Sequence, residues 1–253
     1  HSQTTHENAQ QAMDALPPLK LYFQAGFGPN GGGNRSLCPN SAKQRTFTPV
    51  AQWFTASSAN AGGFSAICIL TAQRLYESWD GHIAVGAVES CIGGTAIDVW
   101  TPPTGKLWQQ WMLPLVPMTF VAALWDQGEN DYKHGGAYYA TAFPQMISRW
   151  RDAFLAPILP FIYVEMDTAK QDFWLGPRAA TALPNVGFAV TADIQRGLHP
   201  SDKFAVATRL AFEVRRIAFN DTSVPVKPTV LRRSSNTTAG TITVTFSSPI
   251  HSS

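Results

Sequence analysis

The feature of this chain that most limits its fold is an alternation of short apolar runs with longer amphipathic segments. The short runs predict buried strands, and the longer segments carry apolar residues at three- and four-residue spacing, which predicts helices. The predicted strands cover residues 19–23, 83–88, 119–125, 160–165 and 186–192, and the predicted helices cover residues 64–77, 138–154 and 201–219. This order is typical of an α/β fold in which helices cover both faces of a parallel sheet.

The pattern changes in the C-terminal part of the chain. A long loop rich in Gly, Asn and Pro is predicted earlier, from Gly26 to about Thr46, but after Asp221 no amphipathic helix follows at all. Instead, residues 241–246 alternate between apolar and polar with period two, which is typical of a strand with one buried face. We therefore predict an α/β domain over residues 1–221 and the start of a β-rich appendage over residues 222–253.

The composition excludes several classes of function. The 253 residues are 45% hydrophobic and 14% charged, with a net charge of +2, so the chain can bury the core of one large domain and has no basic patch for a nucleic acid. Its apolar stretches are interrupted well before the roughly 20 residues that a membrane-spanning helix requires, so no membrane span is expected. Glu129 and Asp131 have no histidine cluster beside them, and we expect neither a metal ion nor a cofactor.

The cysteines are odd in number, so they cannot all pair within the chain. Cys68 lies in a helical pattern and is expected in the core, whereas Cys38 lies in the long polar loop and is a candidate for pairing with a group outside the chain. Cys91 lies in a polar motif described below.

Three acceptor patterns for N-glycosylation point to a secreted or lysosomal protein. They begin at Asn34, Asn220 and Asn236.

Three polar motifs follow predicted strands, at the edge of the sheet where open α/β proteins bind their ligands. The motifs are residues 125–131 (WDQGEND), residues 89–95 (ESCIGGT) and residues 198–200 (LHP). Gln127 and Asn130 carry side-chain N–H donors, and Gly128 allows close approach of the backbone to a ligand, although an ordinary turn favours the same residue types.

The other two motifs complete a recognisable set of groups. Gly93 and Gly94 permit a tight turn whose backbone N–H groups face a ligand, although a Gly-Gly turn also serves geometry alone. His199 is a lone histidine, a type more often found at the surface or capping a helix, but it shares the same predicted edge. One histidine and two sets of N–H donors that meet at one edge are what a serine esterase needs around its nucleophile.

These motifs, in this order and at this spacing, resemble the family of sialate O-acetylesterases and related acetylesterases within the SGNH (GDSL-like) hydrolase superfamily. The similar segments are SCIGGTAIDVW, WDQGEND with the trailing YYATAFPQMISRWRDAF, LHPSDKFAVATRLA, and the helical FSAICILTAQRLYE. The likeness runs from roughly Leu19 to Phe219. It implies a flavodoxin-like three-layer α/β/α hydrolase domain that removes acetyl groups from an O-acetylated sugar.

The resemblance also implies roles for individual residues. Gly93, with Gly94 beside it, corresponds to a backbone donor to the oxyanion, and either Gln127 or Asn130 corresponds to the side-chain donor. Gly128 and Glu129 belong to the same substrate-binding block. His199 corresponds to the general base.

The chain departs from the family at two points. The family's nucleophilic serine lies in a GQSN-like block, which this chain lacks, and neither Ser2 nor Ser90 lies in such a context. We therefore expect the serine on an upstream segment or a partner chain, with this chain corresponding to a large subunit or a truncated piece.

The second departure concerns the carboxylate that orients the histidine. Many SGNH enzymes have an aspartate three residues before the histidine, where this chain has Arg196. Either Asp193, the nearest carboxylate, orients His199, or a backbone carbonyl does. A second class of function also remains: a catalytically inactive SGNH fold that serves as a carbohydrate-binding or structural subunit.

Overall fold

A computed structural model of the chain describes most of the predicted elements. The described residues are 15–23, 52–62, 64–166, 173, 175–194, 199–225, 230–236 and 240–247. The predicted long polar loop lies outside them, as do Ser2, Asn34, Cys38 and Arg196. The chain divides into two compact units, His1–Asn220 and Asp221–Ser253.

The strands described in the first unit form two three-stranded groups. They are β1 (Lys20–Phe23), β2 (Gln52–Thr55), β3 (Gly86–Glu89), β4 (Ala123–Trp125), β5 (Phe161–Glu165) and β6 (Val186–Val190). One group has the strand order β2-β1-β3 and the other the order β4-β5-β6. All neighbours are parallel except β1 and β2, which are antiparallel.

Four α-helices are described in the same unit: α1 (Ser58–Ala61), α2 (Ala66–Ser78), α3 (Gly136–Ala153) and α4 (Lys203–Ala218). The side chain of Ser65 caps α2 and that of Asp202 caps α4, each accepting a hydrogen bond from a backbone N–H of the first turn. Short helical turns lie at Ile97–Trp100, Trp108–Met112, Leu113–Leu115, Tyr132–His134 and Gly176–Ala182.

Strand β5 shows that helices cover both faces of the sheet. Its side chains alternate: Phe161 and Tyr163 join the cluster that contains the inner face of α3, and Ile162 and Val164 join the cluster that contains the inner face of α4. Each of these side chains is at most 3% exposed, and burying one such side chain fully contributes about 1.5–3 kcal/mol. The result is a three-layer α/β/α arrangement.

The second unit contains an antiparallel strand pair, β7 (Val230–Asn236) and β8 (Thr241–Phe246). Gly240, with φ 62°, lies directly before β8 in the left-handed region that favours glycine. The strand predicted over residues 241–246 is therefore confirmed. Strand β7 was not predicted.

The α/β fold class with parallel strands is confirmed, with three differences in detail. The strand predicted over residues 83–88 is observed as β3, Gly86–Glu89. No pattern in the sequence indicated the antiparallel strand β2. The strand predicted from residue 119 begins only at Ala123, because pairing with β5 starts where Ala123 N–H donates to the carbonyl of Pro160 at 2.9 Å.

Among the residues that the structure describes, no helix is both long and apolar enough to cross a bilayer.

Candidate active site

The loops that follow β3, β4 and β6 meet at the carboxyl edge of the sheet. The loop after β4 contains Asp126–Asp131, the loop after β3 contains Ser90–Thr95, and His199 lies between β6 and α4. Two contacts join them: the side chain of Gln127 reaches the carbonyl of Thr95, and the side chain of Glu129 reaches His199. The three polar motifs identified in the sequence therefore form one site.

The central pair of the site is His199 and Glu129. Nδ1 of His199 lies 3.0 Å from Oε1 of Glu129, and the two side chains are 36% and 23% exposed. Burial, followed by the charge of Lys203, lowers the pKa of His199, so the imidazole is neutral at neutral pH. A neutral ring that donates its Nδ1–H to Glu129 leaves Nε2 as a proton acceptor, which is the state of a general base.

The Glu129 carboxyl group titrates in the same pH range. Burial raises the pKa of Glu129 to about 7, and the neighbouring Asp126 carboxylate adds to the rise. Hydrogen bonds from backbone N–H groups and the charge of Lys203 oppose it. The ionisation of Glu129 is therefore set by its burial together with the charges and hydrogen bonds around it.

Asp193 lies in the loop after β6, but its carboxylate is engaged elsewhere. Both its oxygens accept hydrogen bonds from the Arg209 guanidinium, at 2.6 and 2.5 Å, and its side chain is 61% exposed. These hydrogen bonds lower the pKa of Asp193. The structure thus places Glu129, and not Asp193, against Nδ1 of His199.

The side chain of Gln127 cross-links two loops of the site. Its Nε2 donates to the Thr95 carbonyl at 2.9 Å and to Oδ2 of Asp131 at 2.5 Å, and its Oε1 accepts from the Tyr139 hydroxyl at 2.8 Å. The same Oδ2 of Asp131 accepts from the backbone N–H of Ile97 at 2.8 Å. Both N–H groups of the Gln127 amide are therefore used within the protein.

Asn130 differs from Gln127 in this respect. It is partly exposed, and within the described part of the chain its side chain makes no hydrogen bond. Of the two carboxamides that the sequence offered, Asn130 is therefore the one whose N–H groups are not already used within the described residues.

The glycines shape the two donor loops. Gly94 is exposed, with φ 70° and no atom within 4 Å of the position that a Cβ would occupy, whereas Gly128, with φ 150°, is buried. A Cβ on Gly128 would approach Cε of Met166 and lie 3.3 Å from the Phe173 ring. Gly93 is partly exposed beside Gly94.

The loop after β3 is held by hydrogen bonds within itself. The Thr95 hydroxyl donates to the carbonyl of Ile92 at 2.8 Å and accepts from Nε1 of Trp100 at 2.9 Å. Ser90 lies at the start of this loop with its hydroxyl oxygen buried and, among the described residues, without a hydrogen-bond partner. Ser90 is therefore not hydrogen-bonded to His199, as an activated nucleophile would be.

The two described cysteines are in different states. Cys91 is disulfide-bonded, and Cys68 is a free thiol in α2. Burial raises the pKa of the Cys68 thiol to about 12, so it is not a nucleophile at neutral pH. The prediction for Cys38 concerns a residue outside the described ones.

Acidic and histidine side chains in the site do not form a metal-binding set. Throughout the ranges that the structure describes, no group of three or more His, Cys, Asp or Glu side chains is arranged to hold a metal ion.

Three residues of the site had no role in the sequence interpretation. Asp131 is fully buried and connects two loops, Lys203 is 2% exposed at the start of α4, and Asp126 adds a charge close to Glu129. Lys203 can be recognised in the sequence, because the helical periodicity places this charged residue on the apolar face of the helix.

Comparison with known proteins adds an independent line of evidence. A family model described as carbohydrate esterase, sialic acid-specific acetylesterase, matches residues 49–209. The sialate O-acetylesterases of Pongo abelii and Homo sapiens are each 27% identical to this chain, over 74% of it and 47% of their own length. The chain therefore spans about half the length of these relatives.

Solved structures show the same relationship. A carbohydrate acetylesterase from Xanthomonas citri matches with a TM-score of 0.72 and 27% identity, over 92% of this chain and 56% of its own. A protein from Arabidopsis thaliana matches with a TM-score of 0.54 and 20% identity, over 69% of this chain and 78% of its own, which is a likeness in fold alone.

Proposed function

Because the chain belongs to the family of sialic acid-specific carbohydrate acetylesterases, we propose that it provides the base and the oxyanion donors for hydrolysis of acetyl esters on sugars, sialic acids among them. The observation that carries this proposal is the contact of 3.0 Å between His199 and Glu129, at the edge where the two donor loops meet. Neither a metal ion nor a cofactor has a part in this chemistry.

Each group of the site has one role in the proposed reaction. A serine hydroxyl attacks the acetyl carbonyl while Nε2 of His199 takes its proton, and the carboxylate of Glu129 stabilises the imidazolium that forms. The backbone N–H of Gly93 and the side chain of Asn130 donate to the oxyanion of the tetrahedral intermediate. His199 then returns the proton to the sugar oxygen as the sugar leaves. Water next attacks the acetyl-enzyme while His199 takes its proton, and His199 returns that proton to the serine oxygen as acetate is released.

The glycines and Glu129 also shape the substrate site. Gly94 keeps the approach to the donor loop open, since nothing lies within 4 Å of the Cβ position there. Gly128 turns the chain so that Glu129 and Asn130 follow directly in the site. In this proposal Glu129 orients His199 and also belongs to the substrate-binding block.

The nucleophilic serine is proposed to come from an upstream segment or a partner chain. The sequence has no GQSN-like block, and the buried hydroxyl of Ser90 makes no hydrogen bond to the base. Addition of the segment that carries a GQS-type serine, covalently or as a separate chain, is expected to give turnover of a chromogenic acetyl ester.

The experiment that tests the function measures acetate release from O-acetylated sialic acid by the protein with that segment present. His199→Ala is expected to lower kcat by at least about a thousandfold, as loss of a triad histidine does. The control is His82→Ala, since His82 is exposed and precedes β3 at the opposite edge of the sheet. Full activity in His199→Ala, or sugar binding without acetate release by the unaltered protein, would instead support the binding-subunit alternative.

A secretory or lysosomal location is part of the same proposal. Cys91 is disulfide-bonded, and disulfide bonds persist in oxidising compartments. Asn220 is exposed directly after α4, Asn236 ends β7, and Asn34 lies outside the described residues. A mobility shift of the secreted protein on treatment with an N-glycosidase, lost on replacement of these asparagines by glutamine, tests the location.

A further inference from the structure

Lys203 occupies an unusual position for a lysine. It is 2% exposed at the first residue of α4, and its Nζ donates a hydrogen bond to the carbonyl of Pro200 at 2.6 Å. Lysines are almost never fully buried unless a partner offsets their charge. Pro200 directly follows His199, so the lysine holds the backbone of the loop that carries the base.

Helix formation does not explain this position. The first turn of a helix carries a partial positive charge, which disfavours a cation there. Asp202 already caps α4 by accepting a hydrogen bond from the N–H of Ala205 at 3.0 Å. The burial of a lysine ammonium at this end of α4 therefore requires another source of stabilisation.

The stabilising charges come from the loop after β4. Burial lowers the pKa of Lys203, and the carboxylates of Asp126 and Glu129 oppose that change. In return, the ammonium lowers the pKa of Glu129 and of His199. Lys203 thus faces two acidic groups from the loop after β4 and one basic group from its own loop.

We propose that Lys203 is a positioning residue of the esterase site: its buried ammonium holds the His199 loop through the Pro200 carbonyl and offsets the charge of Asp126, which favours the ionised form of Glu129 beside His199. This inference rests on the proposed function, because only a base needs a neutral imidazole with an ionised partner. Without the ammonium, the His199–Glu129 pair takes up a proton at a higher pH, and the base is lost from the neutral range.

The test follows the titration of His199 by NMR in the protein labelled with ¹³C and ¹⁵N at histidine, with the His199 signals assigned by their absence in His199→Gln. In Lys203→Met the midpoint is expected to rise by on the order of one pH unit, since proteins shift pKa values by about that amount. Lys203→Arg retains the charge and is expected to keep the midpoint near that of the unaltered protein. Lys106→Met, which removes an exposed lysine, is the control for the change in net charge.

A second variant keeps the inference testable if Lys203→Met does not fold. Asp126→Asn removes the charge that Lys203 offsets, so the pKa of Glu129, followed by the ¹³C shift of its side-chain carboxyl in protein labelled at glutamate, is expected to fall. With the serine segment present, the acid limb of the kcat/KM profile is expected to move in the same direction as the NMR midpoint in each variant.

A midpoint in Lys203→Met equal to that in Lys106→Met, with only the melting temperature reduced, would show that Lys203 is structural and overturn the inference. An unchanged Glu129 midpoint in Asp126→Asn would overturn it as well. Failure of the proposed function has a different signature, because His199→Ala would then retain esterase activity whatever the titration shows.

Discussion

Replacement of Gln127 by leucine tests whether this side chain holds the site together or contacts the oxyanion. Leucine has a similar volume but cannot form the hydrogen bonds to the Thr95 carbonyl and to Oδ2 of Asp131. The Tyr139 hydroxyl keeps an acceptor in the backbone carbonyl of residue 127, at 3.2 Å. The main losses are therefore one neutral and one charge-assisted hydrogen bond.

The expected cost follows from these two bonds. A neutral hydrogen bond contributes about 1 kcal/mol and one to a charged group about 2 kcal/mol, so Gln127→Leu should lower the free energy of unfolding by about 3 kcal/mol. For a chain of this size each kcal/mol changes the melting temperature by about 2–4 °C, which gives a decrease of about 6–12 °C. Because one of the hydrogen bonds that connect the loops after β3 and β4 is lost, activity should also decrease.

Asn130→Ala is the matched comparison, since its side chain has no hydrogen bond within the described residues. If Asn130 is an oxyanion donor, the Asn130→Ala variant should have a kcat lower by about a hundredfold or more. Its free energy of unfolding should change by no more than about 0.5 kcal/mol, as for other surface substitutions. Thermal unfolding by circular dichroism and acetyl ester hydrolysis measure the two effects. The opposite pattern, a stable but inactive Gln127→Leu beside a fully active Asn130→Ala, would refute the assignment.

Three further predictions concern the same loops. Asp193→Asn should retain kcat within about tenfold, because the Asp193 carboxylate binds Arg209 and not His199. Loss of a true orienting carboxylate lowers kcat by about ten-thousandfold in a serine protease, and a loss of that size would assign the orienting role to Asp193. Gly128→Ala should unfold at a lower temperature, because its φ of 150° is a conformation that residues with a Cβ rarely adopt, and a melting curve identical to that of the unaltered protein would contradict the geometry. The kcat/KM profile should rise with pH through about 7, because burial raises the pKa of Glu129 to about 7 and only the ionised carboxylate stabilises the imidazolium. A profile that falls over this pH range would exclude Glu129 as the orienting carboxylate.

Periodicity predicted the large elements because it depends on local packing. Helices α2, α3 and α4 lie within a few residues of their predicted bounds, and β5 and β6 lie inside the predicted strands. Strand β2 was missed because Gln52–Thr55 has neither a period-two alternation nor a longer apolar run around it, and its partner β1 is distant in sequence.

The site was predictable in its location but not in its pairings. The rule that ligands bind at the carboxyl edge of the strands brought the three motifs together correctly. The sequence left Asp193 and a backbone carbonyl as alternative partners of His199, whereas the contact with Glu129 depends on how the loops after β4 and β6 fold against each other. Gln127 and Asn130 are both carboxamides, and only their hydrogen bonds in the folded protein separate them.

The most direct test of the account is a double-variant cycle on His199 and Glu129. Residues that act as one catalytic unit are strongly non-additive, so removal of the second partner costs little once the first is gone. With the serine segment present, we expect His199→Ala/Glu129→Gln to hydrolyse an acetyl ester at the same residual rate as His199→Ala alone, although Glu129→Gln by itself causes a large loss of kcat. Losses in the two single variants that multiply in the double variant would show independent roles and contradict the proposed base and orienting carboxylate.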